Sequence, residues 1–107
     1  MNSTKYVLAL SLWARMRGLL GARPQWSTNT VLVLAPCKSI HTWCMRYPID
    51  IAFADEKGKV LYAERDVMPW RIVSKRKAHF VLERPSCPNF PWFDVGDSLP
   101  FLLYGHP

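Results

Sequence analysis

Apolar residues alternate with small or polar ones at Ile49, Ile51 and Phe53 against Asp50, Ala52 and Ala54. That two-residue period predicts a strand with one buried face. Asp55-Glu56-Lys57-Gly58 follows and reads as a hairpin loop, with Gly58 at the positive-φ position. Lys59–Glu64 is the returning strand, with Val60 and Tyr62 on one face. Thr30–Ala35 is an unbroken β-branched run, a buried strand that Pro36 ends. Lys5–Leu10 and Ala78–Glu83 predict two more strands, and Val95-Gly96-Asp97 a turn before a last strand at Ser98–Leu103. The period becomes helical once. Leu12, Met16, Leu19 and Leu20 fall at i, i+4, i+7 and i+8, between Ser11 as N-cap and Gly21 as the stop.

These elements predict a mostly β (α+β) fold of about six short strands and one short helix. The gaps are short, so antiparallel or meander connections are expected, with the sheet curled into a small barrel. No repeat, low-complexity tract or linker divides the chain, and residues 1–107 read as a single compact domain. A chain of 107 residues can bury roughly 60–70% of its unfolded surface. Five Trp, five Phe and four Tyr supply large anchors for that core. Pro85, Pro88 and Pro91 make the stretch before Trp92 irregular, and Trp92 and Phe93 are expected to cap an open end of the barrel.

Charge narrows the partners. The net charge is +6 and the isoelectric point about 9.6, which favours anionic ligands or surfaces. The cations are scattered, however. Lys75-Arg76-Lys77 is a short run that suits a solvated turn, and Arg15, Arg17 and Arg23 form a looser group. With no arginine-rich tract or aromatic–basic repeat, nucleic acid is disfavoured against a small anionic ligand or a protein partner. Three cysteines leave at least one unpaired, which argues for a reducing compartment. Tyr6–Ala14 is too short to span a bilayer, and no small-residue cleavage site follows it. A cytoplasmic protein that does not span a membrane is the expectation.

The candidate chemistry is concentrated in Cys37–Asp50, which gathers two thiols, an imidazole, a guanidinium and a carboxylate. Three readings compete. Cys37, His41 and Cys44 are zinc-type donors, but a structural zinc needs a fourth ligand from Cys87, His79 or Asp50. Alternatively Cys37 is a nucleophilic thiol, His41 its base, Asp50 the group orienting the imidazole, and Arg46 a substrate anchor. The third reading is structural: Cys37 packs as a small hydrophobe, His41 and Thr42 bond the backbone, and Arg46 pairs with Asp50. It is favoured, because buried polar groups must be paired and loops must be anchored. Such a loop can also line a pocket, since His41 and Arg46 are good donors to anions. Arg71, after Pro69-Trp70, either contacts an anion beside the indole or covers the ring with its stem. The candidate functional residues are therefore Cys37, His41, Thr42, Met45, Arg46, Asp50 and Arg71. No catalytic residue, metal or cofactor is assigned.

Four motifs in order carry a resemblance. They are Arg15-Met-Arg17-Gly18-Leu19-Leu20-Gly21, the stretch from Cys37 through Ile40-His41-Thr42, Met45-Arg46 and Pro48-Ile49-Asp50-Ile51 to Val60, then Pro69-Trp70-Arg71, and finally Ala78 to Glu83 with Gly96-Asp97. Together they resemble the bacterial and archaeal family named domain of unknown function 192. The resemblance covers nearly the whole chain and implies a compact, mostly β domain with a barrel-like sheet and no known reaction. In the family pattern Cys44 falls at a variable position, which lowers the zinc reading. Arg84-Pro-Ser-Cys-Pro-Asn-Phe-Pro stands where relatives run through a glycine turn into a short helix. Many relatives are exported or lipid-anchored, whereas this chain shows no convincing export signal. The expected function is a non-enzymatic binding or accessory domain whose Cys37–Asp50 loop takes a small anionic or carbonyl-bearing ligand. A Cys37 thiol enzyme, and nucleic-acid or acidic-surface binding through the basic charge, are the alternatives.

Overall fold

The structure, a computed structural model, describes residues 5–9, 30–42 and 47–100. It is mostly β. Within the described residues, seven strands run in the order β1 (Lys5–Ala9), β2 (Thr30–Leu34), β3 (Ser39–His41), β4 (Ile49–Ala54), β5 (Val60–Val67), β6 (Ile72–Ser74) and β7 (Phe80–Pro85). Five form one sheet in the order β1-β2-β7-β4-β5, and β3 pairs with β6 as a separate ribbon.

Among the described residues the sheet is open, with β1 and β5 at its edges, and does not close into the expected barrel. Nor is it wholly antiparallel: β1 lies parallel to β2, with Lys5 opposite Thr30 and Ala9 opposite Leu34. The 20 residues between them give the chain length that a parallel crossover requires. The expected helix at Ser11–Leu20 falls in that stretch, outside the described residues, and none of the described residues is α-helical.

The two faces of the sheet carry two cores. Leu32, Leu34, Ile49, Ile51, Phe53 and Val81 point to one side, where Ile40 of β3 and Val73 of β6 cover them. Val31, Val33, Ala52, Ala54 and Leu82 point to the other, under Leu99 with Trp92 and Phe93. Every residue of β4 is therefore buried, where the alternation predicts one buried face. The small side chains of Ala52 and Ala54 belong to a second apolar layer. Trp92 and Phe93 cover a sheet face and cap no barrel end.

The turns follow local chemistry. Gly58 has φ 86° and donates to the Asp55 carbonyl, while Asp55 Oδ1 accepts the Lys57 and Lys59 amides at 3.0 and 2.9 Å. Gly96 has φ 97° in the Asp94–Asp97 turn. Beyond it, Ser98 makes a single bridge to Lys59 where a strand is expected, and residues 101–107 lie outside the described residues.

Candidate functional site

The sheet divides the Cys37–Asp50 segment. Along β4, Asp50 shares a face with Ala52 and Ala54, whereas Cys37 and the β3–β6 ribbon pack on the opposite face. Asp50 is fully buried. Its Oδ2 accepts the Arg84 Nε–H at 2.8 Å and the Cys87 amide at 3.3 Å, and its Oδ1 accepts the Asp66 amide at 2.9 Å. Its ionic partner is thus Arg84, directly across the β4–β7 ladder, with Arg65 at 4.0 Å as a second cation. Arg46, the partner expected from the sequence, lies outside the described residues. Asp50 faces away from the ribbon that carries His41, so it does not orient the imidazole.

The bond to Asp66 has a local cause. Between the pairs Ile49–Val67 and Ile51–Glu64, β5 carries one residue more than β4. This is a bulge, with Asp66 left-handed at φ 58°. Its amide is out of ladder register, and the buried carboxylate accepts it. Arg65 and Arg84 each donate to the carbonyls of Cys87 and Phe90, and the Arg84 guanidinium lies 4.6 Å from the Trp92 ring centroid. These contacts, with the Trp92 indole donating to the Ile51 carbonyl, fix the proline-rich segment. Asp50 is therefore a structural hub.

On the other side, Thr42 is the organising residue. It is 1% exposed, and its hydroxyl donates to the Met68 carbonyl at 2.9 Å while accepting the Arg71 amide at 2.8 Å. Its own amide donates to the Arg71 carbonyl, and its carbonyl accepts the Trp70 amide. These bonds hold Trp70 in a left-handed conformation, φ 71°, with the residue 74% exposed. Met68 and Ile72, on either side, are also exposed. His41 stands on the outer face of β3, opposite Ile72 in the ribbon. Thr42, Arg71 and His41 are thus brought together. Cys37 lies at the other end of the ribbon, half-buried, with its thiol donating to the Ser39 carbonyl at 3.3 Å. Met45, Arg46 and Cys44 lie outside the described residues. No group of three or more His, Cys, Asp or Glu suited to a metal occurs among the described residues.

Arg71 bonds Glu64, which also accepts the Tyr62 hydroxyl, and the Lys75 ammonium sits 4.0 Å from the Tyr62 ring centroid. The Arg71 hydrogen bond holds the Glu64 carboxyl below its ordinary value, and the bond to Glu64 raises the Tyr62 phenol. A lowered carboxyl pKa stabilises the fold fully above the unfolded value of 4.5. That contribution is lost as acid takes the pH down through the folded value. Glu64→Gln is therefore expected to lower the urea midpoint slightly at pH 7 and by less as the pH falls towards 3, the effect being small because the pair is solvent-exposed. A gap of equal size at both pH values would contradict the assignment.

The exposure of Met68, Trp70 and Ile72 was not legible in the sequence. A proline–tryptophan pair gives no sign of which way the ring faces.

The fold has counterparts among solved structures. A candidate transcription regulator from Sinorhizobium meliloti 1021 superposes with a TM-score of 0.63 at 19% identity, covering 76% of this chain and 67% of that one. A protein of unknown function from Novosphingobium aromaticivorans DSM 12444 gives 0.64 at 17% identity, covering 78% and 64%. The chain thus spans about two thirds of the length of each, and the likeness is one of fold. No curated protein matches it. The model of the family "Uncharacterized ACR" matches residues 2–86, across the β1–β2 pair, the Thr42 lock and the Asp50 hub. The chain belongs to this family, domain of unknown function 192.

Proposed function

We propose that this domain is a non-enzymatic binding module. Its ligand face is the outer side of the β3–β6 ribbon, with Trp70 at the centre and Arg71 and His41 as donors. One observation carries the reading: a tryptophan held three-quarters exposed on a left-handed backbone by a buried threonine. The left-handed region costs an L-residue roughly 1–2 kcal/mol. Strain of this kind persists where the surroundings enforce it, and it gathers at binding sites. Burial does not account for Trp70, because its ring is in solvent.

The ligand chemistry follows from the lining. Trp70, Met68 and Ile72 offer an apolar platform, and Arg71 and His41 offer donors beside it on a chain of net charge +6. An aromatic or apolar group carrying a carboxylate fits this surface, and Arg46 of the same loop is the further donor expected to reach it. The apolar group stacks on the indole and the carboxylate takes the guanidinium.

Titration with indole-3-acetate, followed by the side-chain indole NMR signals, tests this. The Trp70 signal is expected to shift saturably, and Trp70→Gly to weaken binding at least tenfold. Trp70→Gly is also expected to keep the thermal midpoint within a few degrees. Relief of about 1 kcal/mol of strain offsets the 0.5–1 kcal/mol by which glycine favours the unfolded chain. A large drop in midpoint would make Trp70 a structural residue, and a ligand that shifts no Trp70 signal would end the reading.

A further inference from the structure

We infer a second ligand site, separate from the Trp70 face, that takes an oligophosphate. It is an open depression of about 540 Å³ between the Asp55–Gly58 hairpin, the Lys75–His79 turn and the start of the ribbon. Lys38, Lys57, Arg76 and Lys77 line it, with His79 beside them and Asp55 and Glu56 as its acids.

The charge balance is more cationic than a count of side chains suggests. The Asp55 carboxylate already accepts two backbone amides, from Lys57 and Lys59, so its negative charge is partly answered inside the hairpin. Lys75, the first cation of the run, leans instead over Tyr62. The remaining four cations come from three separate segments of chain and converge on one concavity.

Backbone hydrogen bonds fix those segments to one another. Lys75 donates its amide to the Lys38 carbonyl, Ala78 to Lys75, Cys37 to the His79 carbonyl, and His79 to the Ala54 carbonyl at the root of the hairpin. Like charges held together by the fold repel one another, and a multiply charged anion relieves that repulsion. The volume suits a small molecule. Four cations gathered around one depression match two or three linked phosphates better than the long, regular backbone of a polynucleotide. The shared chemistry is a di- or triphosphate, free or on a nucleoside.

Calorimetric titration with tripolyphosphate, and with ATP in a second arm, tests the inference at fixed ionic strength. Saturable one-to-one binding is expected, falling at least fivefold in Arg76→Gln and further in Arg76→Gln/Lys77→Gln. Both side chains are exposed, so the thermal midpoint should not move. Arg65→Gln removes the same charge from β5, well away from the hairpin, and is expected to change the affinity less than twofold. Equal affinities for both probes would identify the phosphates as the whole ligand, and tighter ATP binding a nucleoside triphosphate. Equal losses in Arg76→Gln and Arg65→Gln would reduce the effect to net charge and overturn the site. So would tenfold tighter binding of a DNA oligonucleotide at the same residues, or no heat with either probe. The indole-3-acetate titration reads the other face, so either site can fail without the other.

Discussion

Asp50→Ala is expected to destabilise the domain by about 3–5 kcal/mol, the range for removing one partner of a buried ion pair. Against a typical total of roughly 5–15 kcal/mol, that is enough to leave much of the protein unfolded at 37 °C. The cost is large because the loss strands more than Arg84. The Asp66 amide loses its acceptor in the bulge, the Cys87 amide loses its own, and Arg65 loses a nearby anion. Asp50→Asn should cost less, since an amide oxygen can still accept from Asp66. Arg84→Ala should cost nearly as much as Asp50→Ala, because it also frees the carbonyls of Cys87 and Phe90 and uncovers Trp92. The double variant Asp50→Ala/Arg84→Ala is expected to cost less than the two single changes together, because neither charge is then left alone. Urea unfolding of the wild type and the four variants measures all of this. A cost below about 1 kcal/mol for Asp50→Ala would show that the arginine–carbonyl bonds and the apolar contacts hold the proline-rich segment without Asp50.

The sequence made the local structure legible and the long-range structure much less so. The Ile49–Phe53 alternation and the Asp55–Gly58 loop depend on neighbours in the chain, and β4, its hairpin and β5 lie close to where they predict. The ribbon strands Ser39–His41 and Ile72–Ser74 were missed. Three residues are too few to show a period, and each strand exists through its partner. The barrel expectation failed at β1. A parallel edge strand cannot be told from an antiparallel one by its own residues, and among the described residues β1 pairs with β2 alone, which leaves the sheet open. The candidate loop is divided by the sheet. Cys37 to Asp50 are close in sequence, but β4 enters the sheet at Ile49, and the pleat sends Asp50 to the face away from His41. Arg71 was legible as a candidate, while Thr42, chosen among several polar residues, proved to be the lock beneath it.

Phe53→Ala is expected to cost about 3–5 kcal/mol as well, through a cavity where Asp50→Ala acts through stranded polar groups. Phe53 is fully buried, and its ring meets Tyr62 edge-on at 6.1 Å between centroids. It belongs to the cluster in which Ile40 and Val73 seat the ribbon on the sheet. A two-stranded ribbon is marginal without an apolar surface to rest on. Truncating Phe53 should therefore loosen β3 and β6 before the five-stranded sheet. The opening should reach Thr42, whose bonds to Met68 and Arg71 fix the Trp70 face. Hydrogen exchange separates this from uniform destabilisation: the amides of Ile40, Thr42 and Val73 are expected to lose protection first in Phe53→Ala, while those of Val33 and Leu82 stay at the global limit. The contrasting variant is Val60→Ala, which thins the opposite core and should leave the ribbon amides no worse than the rest. If Phe53→Ala lowers protection equally on both faces, the ribbon and the sheet open as one unit. The binding face is then as stable as the whole fold, and changes in the core beneath it cannot tune it separately.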